Sequence, residues 1–265
     1  MIVFPNAKIN IGLQVVDERP DGYHELQTVF YPIPLYDALE VVDGQQFNIF
    51  ETGLSIPSGS GNICKKVYSV LADEFDLPPV HIHLHKTIPM GAGLGGGSAD
   101  AAFLIKLLNE YFNLGMSVVR MQDVARTLGA DCAFFIENRP AYATGRGDRF
   151  EALDLDLCSY SIVVIKPDIH ISTAEAFSRV DVNKEGRSLR KDIGAPIEDW
   201  HQLIVNDFEV GIFDRYPMIR SIKDQLYQAG AIYVSMSGTG SAVFGIFEKG
   251  VILPDLANRY ELWYC

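Results

Sequence analysis

Hydrophobic and polar positions alternate with a period of two near the start of the chain. Lys8, Asn10, Gly12 and Gln14 fall on one side, Ile9, Ile11, Leu13 and Val15 on the other. Successive side chains of a strand point to opposite faces, so the pattern predicts a half-buried strand over Phe4–Val16 with one polar face. Such a strand either runs solvated along a sheet edge or aims Lys8 and Asn10 into a cleft, and the pattern favours neither. Pro20 and Asp21-Gly22 then supply turn chemistry, and a second strand-like run covers Leu26–Pro32. Leu39 to Ser60 reads as short strands and turns. Alternation returns in Val80–Lys86, where Val80, Ile82 and Leu84 oppose His81, His83 and His85. Three imidazoles at that spacing are compatible with a transition metal, but alternation already explains them as the exposed face of a strand.

Elsewhere the period lengthens to that of a helix. Ile63, Val67, Val70, Leu71 and Phe75 form an apolar stripe over Gly61–Phe75, with Asn62 as the expected N-cap. Ala101–Phe112 is a second helix. A third begins at Ser117, buries Val118, Met121, Val124, Ala125 and Leu128, and stops at Gly129. Tyr160–Lys166 reads as a buried strand closed by Pro167, and Ile171–Phe177 as a helix start. Residues 181–196 read as a polar loop, Pro217–Ala229 as a helix, and Gly230–Phe247 as strand, glycine turn, strand. The glycine turn Ala143-Thr-Gly-Arg-Gly-Asp148 is the expected end of a first domain, which gives domains at 1–152 and 153–265. No internal repeat or low-complexity segment interrupts the chain.

Composition narrows the class. The 265 residues are 48% hydrophobic and 21% charged, enough for a substantial core. No run reaches the ~18 apolar residues of a membrane span, and the opening residues lack the pattern of a secretory signal. Cys64, Cys132, Cys158 and Cys265 are scattered without metal-site spacing, so a cytoplasmic protein is expected. A net charge of −12 disfavours nucleic acid and acidic membranes as partners. It also means that any polyphosphate must be held by local means: backbone N–H groups, a few basic side chains and a divalent cation.

The densest candidate chemistry is Pro89-Met-Gly-Ala-Gly-Leu-Gly-Gly-Gly-Ser-Ala-Asp-Ala-Ala102, with five glycines between a predicted strand and a predicted helix. Glycine lets backbone approach a ligand closely, and the helix start offers unpaired N–H groups and a dipole that favour an anion. Gly91-x-Gly93-x-x-Gly96 matches the dinucleotide fingerprint, but the acid required about 20 residues on falls at Asn109-Glu110, inside the helix. A Walker loop ends in Gly-Lys-Ser/Thr, whereas this one ends Gly96-Gly97-Ser98. Asp131, in Gly129-Ala-Asp-Cys-Ala-Phe-Phe-Ile136, is the only charge in Leu128–Ile136. It is either a functional acid or the cap of the next element.

The glycine stretch resembles the phosphate loop of the GHMP small-molecule kinases, and Ser237-Gly-Thr-Gly-Ser241 resembles their third motif. Ala7-Lys-Ile-Asn-Ile-Gly-Leu13 and Arg19-Pro-Asp-Gly-Tyr-His-Glu-Leu-Gln-Thr28 are similar to the opening signature of one branch, which phosphorylates 4-diphosphocytidyl-2-C-methyl-D-erythritol. The resemblance covers almost the whole chain. Ala99, where many members have a second serine, is a departure, but Ser98 remains.

The resemblance implies an α+β, two-domain GHMP kinase fold, with a ribosomal protein S5 domain 2-like N-terminal domain and a ferredoxin-like C-terminal domain. It implies ATP and Mg²⁺, and phosphoryl transfer to the 2-hydroxyl of the cytidyl alcohol in isoprenoid precursor synthesis. ATP would lie against Pro89, Met90, Gly91, Ala92, Gly93, Leu94, Gly95, Gly96, Gly97, Ser98 and Ala99, with Asn62 beside the adenine. Ser98 either caps the helix or touches phosphate or magnesium, and Asp100 complements the helix dipole. Asp131 would be the general base with Lys8 beside it. Asn10, Tyr23, His24, Gly238, Thr239 and Gly240 would bind the substrate, Tyr23 and His24 at its cytidine. Taken without the resemblance, Tyr23 and His24 read as partly buried packing. A GHMP kinase for homoserine or mevalonate, and a nucleotide-binding module without kinase activity, are the alternatives. The sequence states no oligomeric state.

Overall fold

The computed structural model describes residues 1–56, 61–180, 182 and 188–265. Residues 57–60 of the 39–60 stretch, and 181 and 183–187 of the expected polar loop, lie outside the described residues. The strands are β1 (Ile2–Val3), β2 (Asn6–Glu18), β3 (His24–Tyr36), β4 (Ala38–Asp43), β5 (Asn48–Gly53), β6 (Val80–Lys86), β7 (Ala141–Thr144), β8 (Arg149–Ala152), β9 (Tyr160–Lys166), β10 (Tyr233–Met236), β11 (Val243–Glu248) and β12 (Glu261–Tyr264). Helices α1 (Ile63–Phe75), α2 (Gly96–Tyr111), α3 (Val118–Leu128), α4 (Phe134–Glu137) and α5 (Thr173–Phe177) precede several short helical segments and the longer helices Phe208–Arg215 and Pro217–Gln228.

Contacts divide the chain into two compact units, neither contiguous: 1–7, 34–90 and 95–139 in the first, 8–33, 91–94 and 140–265 in the second. A single cut at 152/153 does not describe this division, because the first hairpin and the middle of the glycine loop are counted with the later residues.

The first unit holds a sheet of order β1-β4-β6-β5, in which β5 runs parallel to β6 and the other pairs are antiparallel. α2 packs against α1, α3 and α4. That central place explains its composition: Ala99, Ala101, Ala102, Leu104, Ile105, Leu107 and Leu108 are all buried, more than the single stripe of a surface helix. α1 centres its buried face on Cys64, Val67 and Leu71, which leaves Val70 on the margin, 37% exposed. Val118, also expected inside, is the first residue of α3 and is 48% exposed. His83 and His85 lie exposed on β6, with Phe50 stacked on His83 at 4.7 Å. Among the described residues no three His, Cys, Asp or Glu side chains are grouped to hold a metal.

In the second unit β2-β3-β7-β8 form one sheet and β10-β11-β9-β12 another. Numbering β9 to β12 as one to four, the second sheet reads 2-3-1-4 with every pair antiparallel, the expected ferredoxin-like order. Its core includes Val163, Ile165, Val234 and Val243 from the strands, with Ile219, Ile222 and Leu226 from the helix Pro217–Gln228.

The polar face of β2 corrects the sequence reading. Residues 6–15 of that strand are all buried, so it is neither half-buried nor solvated. Chain from 189 to 207 covers the face: a Cβ on Gly12 would stand 2.6 Å from Ile204, and Leu13 exchanges backbone hydrogen bonds with Val205 and Asp207 at 3.0 and 2.8 Å. Alternation in sequence shows which residues share a face, but not what later chain will lie on it.

Truncating a fully buried aliphatic leaves a cavity and loses its transfer energy. Ile222→Ala is therefore expected to cost about 2–5 kcal/mol in urea unfolding with little change in m. A loss within experimental error would mean that the helix does not carry the core of this sheet.

Candidate active site

Glycine geometry sets the loop between β6 and α2. Gly91, Gly93 and Gly95 have φ of 62°, 79° and 72°, the left-handed region that residues with a Cβ rarely occupy. Gly95 is the N-cap of α2, without a side-chain cap, and the helix begins at Gly96 rather than at Ala101 as periodicity predicted. The early start turns Gly96, Gly97 and Ser98 into a first helical turn, whose N–H groups have no partner within the helix. With the helix dipole they favour an anion at this end.

Two sequence expectations are corrected here. Ser98 does not cap the helix; it lies in the first turn behind Gly95, which is the N-cap. Asp100 does not serve the dipole either. It is 2% exposed and paired with Lys86 Nζ at 2.7 Å.

The opening strand, the loop and the third motif meet at one carbonyl. Lys8 Nζ donates to Gly93 O at 3.0 Å and Ser237 Oγ donates to the same oxygen at 2.8 Å. Lys8 is 3% exposed, so its ammonium must be compensated inside the protein; it also donates to Asn10 Oδ1 and lies 4.8 Å from the centre of the Phe30 ring. Backbone bonds fix the rest, Lys8 N to Leu94 O at 2.9 Å and Ala242 N to Ala92 O at 3.1 Å. Asn10 Nδ2 donates to Thr28 Oγ1, and its backbone N–H donates to Ser237 Oγ. Gly238 has φ of 57°, and a Cβ there would stand 3.2 Å from Asn10 Oδ1. Lys8, Asn10, Gly93 and Gly238 are thus brought together as the motifs suggested, with Thr239 and Gly240 in the turn that follows.

Asn62 caps α1, accepting from Cys64 N at 2.8 Å while its Nδ2 donates to Glu51. Tyr23 and His24 leave the turn closed by Arg19 N to Tyr23 O at 2.7 Å. His24 stacks on Phe177 at 4.6 Å, with 24° between the rings. Tyr23 is 55% exposed, against the packing expectation, and the Arg146 guanidinium lies 4.8 Å from its ring centre. Asp131 lies in the turn between α3 and α4. The N-cap of α4 is Ala133, so the capping role is not the one Asp131 has.

Matches to known proteins follow the same residues. The model of the GHMP kinases N terminal domain matches 62–139, and that of the GHMP kinases C terminal matches 188–259. The chain belongs to the GHMP kinases. Relatives of this GHMP kinase include a 4-diphosphocytidyl-2-C-methyl-D-erythritol kinase of Bacteroides fragilis, 52% identical over 94% of this chain and 92% of that one. The kinase of the same name from Prosthecochloris aestuarii is 41% identical over 97% and 93%. The crystal structure of a 4-(cytidine 5'-diphospho)-2C-methyl-D-erythritol kinase superposes with TM-score 0.78 at 31% identity, covering 100% of this chain and 98% of that one. Mevalonate kinase from Methanococcus jannaschii superposes at 0.74 with 14% identity, a likeness of fold.

Several residues that shape these motifs carry no signal of that in the sequence. Ser237 was read only as part of a motif, whereas its hydroxyl holds Gly93. Asn206, buried, donates from Nδ2 to Met236 O and Gly238 O, both at 2.8 Å, and so shapes the third motif from below. Phe177 was seen only as the end of a helix start. Neither Asn206 nor Phe177 has a spacing signal, and the motif around Ser237 does not show its partner, since each acts through a residue distant in sequence.

A Cβ on Gly93 would fall 1.9 Å from Ser237 O at a φ of 79°, whereas one on Gly97 meets nothing within 4 Å. Gly93→Ala should therefore lower the melting temperature well beyond Gly97→Ala, the backbone conformation alone costing about 1–3 kcal/mol. Equal melting temperatures for the two variants would show that the loop does not rest on Ser237 as described.

Proposed function

We propose that this chain is an ATP-dependent kinase that transfers the γ-phosphoryl group to the 2-hydroxyl of 4-diphosphocytidyl-2-C-methyl-D-erythritol, giving the 2-phosphate and ADP on the route to isopentenyl diphosphate. The observation that carries it is near-full-length identity of 41–52% to relatives bearing that kinase name. The homoserine and mevalonate kinases among the structural neighbours share 13–14% identity and speak to the fold, not the acceptor.

Phosphoryl transfer is mostly positioning and charge stabilisation. The backbone of Gly91–Ser98 is assigned to the triphosphate, with Pro89, Met90, Ala99 and Asn62 along the nucleotide. Its support is the run of left-handed glycines ending in the open first turn of α2. Mg²⁺ is proposed to enter with the nucleotide. The Ser98 hydroxyl, a hard oxygen donor in that turn, suits an ion that keeps water and phosphate as its other ligands. Once bound, the ion would offset phosphate charge.

Asp131 is assigned as the base that takes the proton of the acceptor hydroxyl, and Lys8 as positive charge for the developing alkoxide. Tyr23 and His24 are assigned to the cytidine, so that binding energy remote from the chemistry orients the hydroxyl. The stacking of His24 on Phe177 supports this, because it presets a flat aromatic wall. Asn10 and Gly238–Gly240 are assigned to the acceptor end. All four cysteines are free, which accords with a proposed cytoplasmic location.

ADP release from Mg·ATP should depend on added diphosphocytidyl methylerythritol. Release supported equally by mevalonate or homoserine would overturn the acceptor. Asp131→Asn should lower turnover roughly 10²–10⁴-fold while nucleotide affinity persists; a folded variant with near-normal turnover would remove Asp131 as base. His24→Ala should raise KM for the cytidyl substrate more than KM for ATP, and equal rises would count against the cytidine assignment.

A further inference from the structure

The turn that follows β10 carries Gly238 and Gly240, both with left-handed φ, and glycine leaves such a turn easy to deform. Yet it begins at Ser237, whose hydroxyl must reach both Asn10 N and Gly93 O. What fixes that residue lies underneath, in Asn206-Asp207-Phe208-Glu209. Asn206 Nδ2 donates to Met236 O and to Gly238 O, the carbonyls on either side of Ser237. Glu209 Oε1 accepts from Met236 N at 2.8 Å, while Oε2 pairs with Lys223 Nζ at 2.6 Å. The backbone before and after Ser237 is therefore held by side chains of one short segment.

The same segment grips β2, which belongs to a different sheet from β10. Asp207 Oδ2 accepts from Val15 N at 2.9 Å, Asp207 N donates to Leu13 O at 2.8 Å, and Leu13 N donates to Val205 O at 3.0 Å. Because β2 also carries Lys8 and Asn10, residues 205–209 form a strut between that strand and the turn that starts at Ser237. Asn206 suits this place in a way that a helix cap alone does not require. Its Oδ1 accepts from Phe208 N at 3.0 Å, a task that serine, threonine or aspartate performs as well. Among side chains of this size, only an amide accepts at one end and donates two bonds at the other. Asn206 is buried with both ends engaged, so removing the amide leaves carbonyls without their donor, which is costly away from water.

We propose that Asn206 is a positioning residue of the phosphoryl transfer. By holding Met236 O and Gly238 O it sets Ser237, and through the Ser237 hydroxyl it fixes the Gly93 carbonyl that receives Lys8. The proposal rests on the reading of the glycine loop as the nucleotide's cradle. Asn206 itself touches no reacting atom. Its influence passes through one hydroxyl, and it must therefore vanish when that hydroxyl is absent.

A double-mutant cycle tests this, read by calorimetric titration of the full chain with Mg·ATP in the absence of acceptor and by turnover with the cytidyl alcohol. Asn206→Ala should weaken Mg·ATP binding about tenfold, on the scale of one hydrogen bond, and lower kcat about 10²-fold, as small displacements of catalytic groups do. Ser237→Ala should act similarly, and Asn206→Ala/Ser237→Ala should be no worse than the poorer single variant. Effects that multiply would overturn the route through Ser237. Ile222→Ala, in the core of the same sheet, is the control for stability: it should lower the melting temperature while affinity and kcat stay near wild type. An Asn206→Ala variant that behaves in the same way would overturn the proposal. Should Asn206→Ala not fold, Asn206→Asp keeps the shape and the acceptor for Phe208 N without the amide donors, and takes its place in the cycle with the same expectation. A wild-type chain that binds no Mg·ATP would overturn the loop reading and the proposal together, whereas wild-type binding matched by every variant would overturn the proposal alone. Affinities that follow the cycle in a chain that leaves the cytidyl alcohol untouched would support Asn206 and refute only the acceptor.

Discussion

The Gly93 carbonyl is the point on which the rest of the second unit depends. A buried peptide oxygen has two lone pairs to satisfy, and here Lys8 and Ser237 take one each. Residues 85 and 144 positions away in sequence are thereby joined through one atom of the loop. The glycine is needed because Ser237 O occupies the place of a Cβ. The bond is also economical electrostatically. A buried ammonium is tolerable only when hydrogen-bonded, and the bonds that compensate Lys8 are the same ones that shape the loop.

A protein with net charge −12 that handles a polyphosphate cannot rely on its overall field. What the chain offers locally is left-handed glycines, a helix start without a side-chain cap, and carboxylates engaged elsewhere. Asp37 accepts from Thr87 and Ile88 as well as from Lys86. Arg19 bridges Asp21 and Glu25 at the tip of the first hairpin, and Glu25 accepts from Gly145 N, tying that hairpin to the turn between β7 and β8. Acidic residues near the functional loops thus spend their charge on backbone and on arginine.

Much of this was legible in sequence, for reasons that can be stated residue by residue. The glycine run announced a loop because the backbone geometry required there is nearly exclusive to glycine. The strand carrying Lys8 and Asn10 announced its two faces by alternation, and α1 and α3 announced their caps through Asn62 and Ser117, both of which accept from the backbone as expected. Burial was less legible. The polar face of β2 reads equally as a solvated edge or a cleft wall because nothing in residues 8–14 reports that Leu189 and Ile204 will lie on it. Asp100 reads as a dipole partner because Lys86 and Asp37 are 14 and 63 positions away. Such residues have ordinary local spacing, and only the fold makes them neighbours.

The same limit explains why the helix start was misplaced. Propensity puts Gly96 and Gly97 outside a helix, since each costs about 1 kcal/mol relative to alanine. What offsets that cost is close packing: no side chain larger than hydrogen fits between Gly96 and Ile88. Starting α2 there, and not five residues later at Ala101, brings its open N–H groups into the glycine loop itself. The unfavourable residue choice is therefore what joins a helix end and a glycine turn into one continuous run of backbone. A sequence that obeyed helix propensity at this point would separate them by more than a full turn.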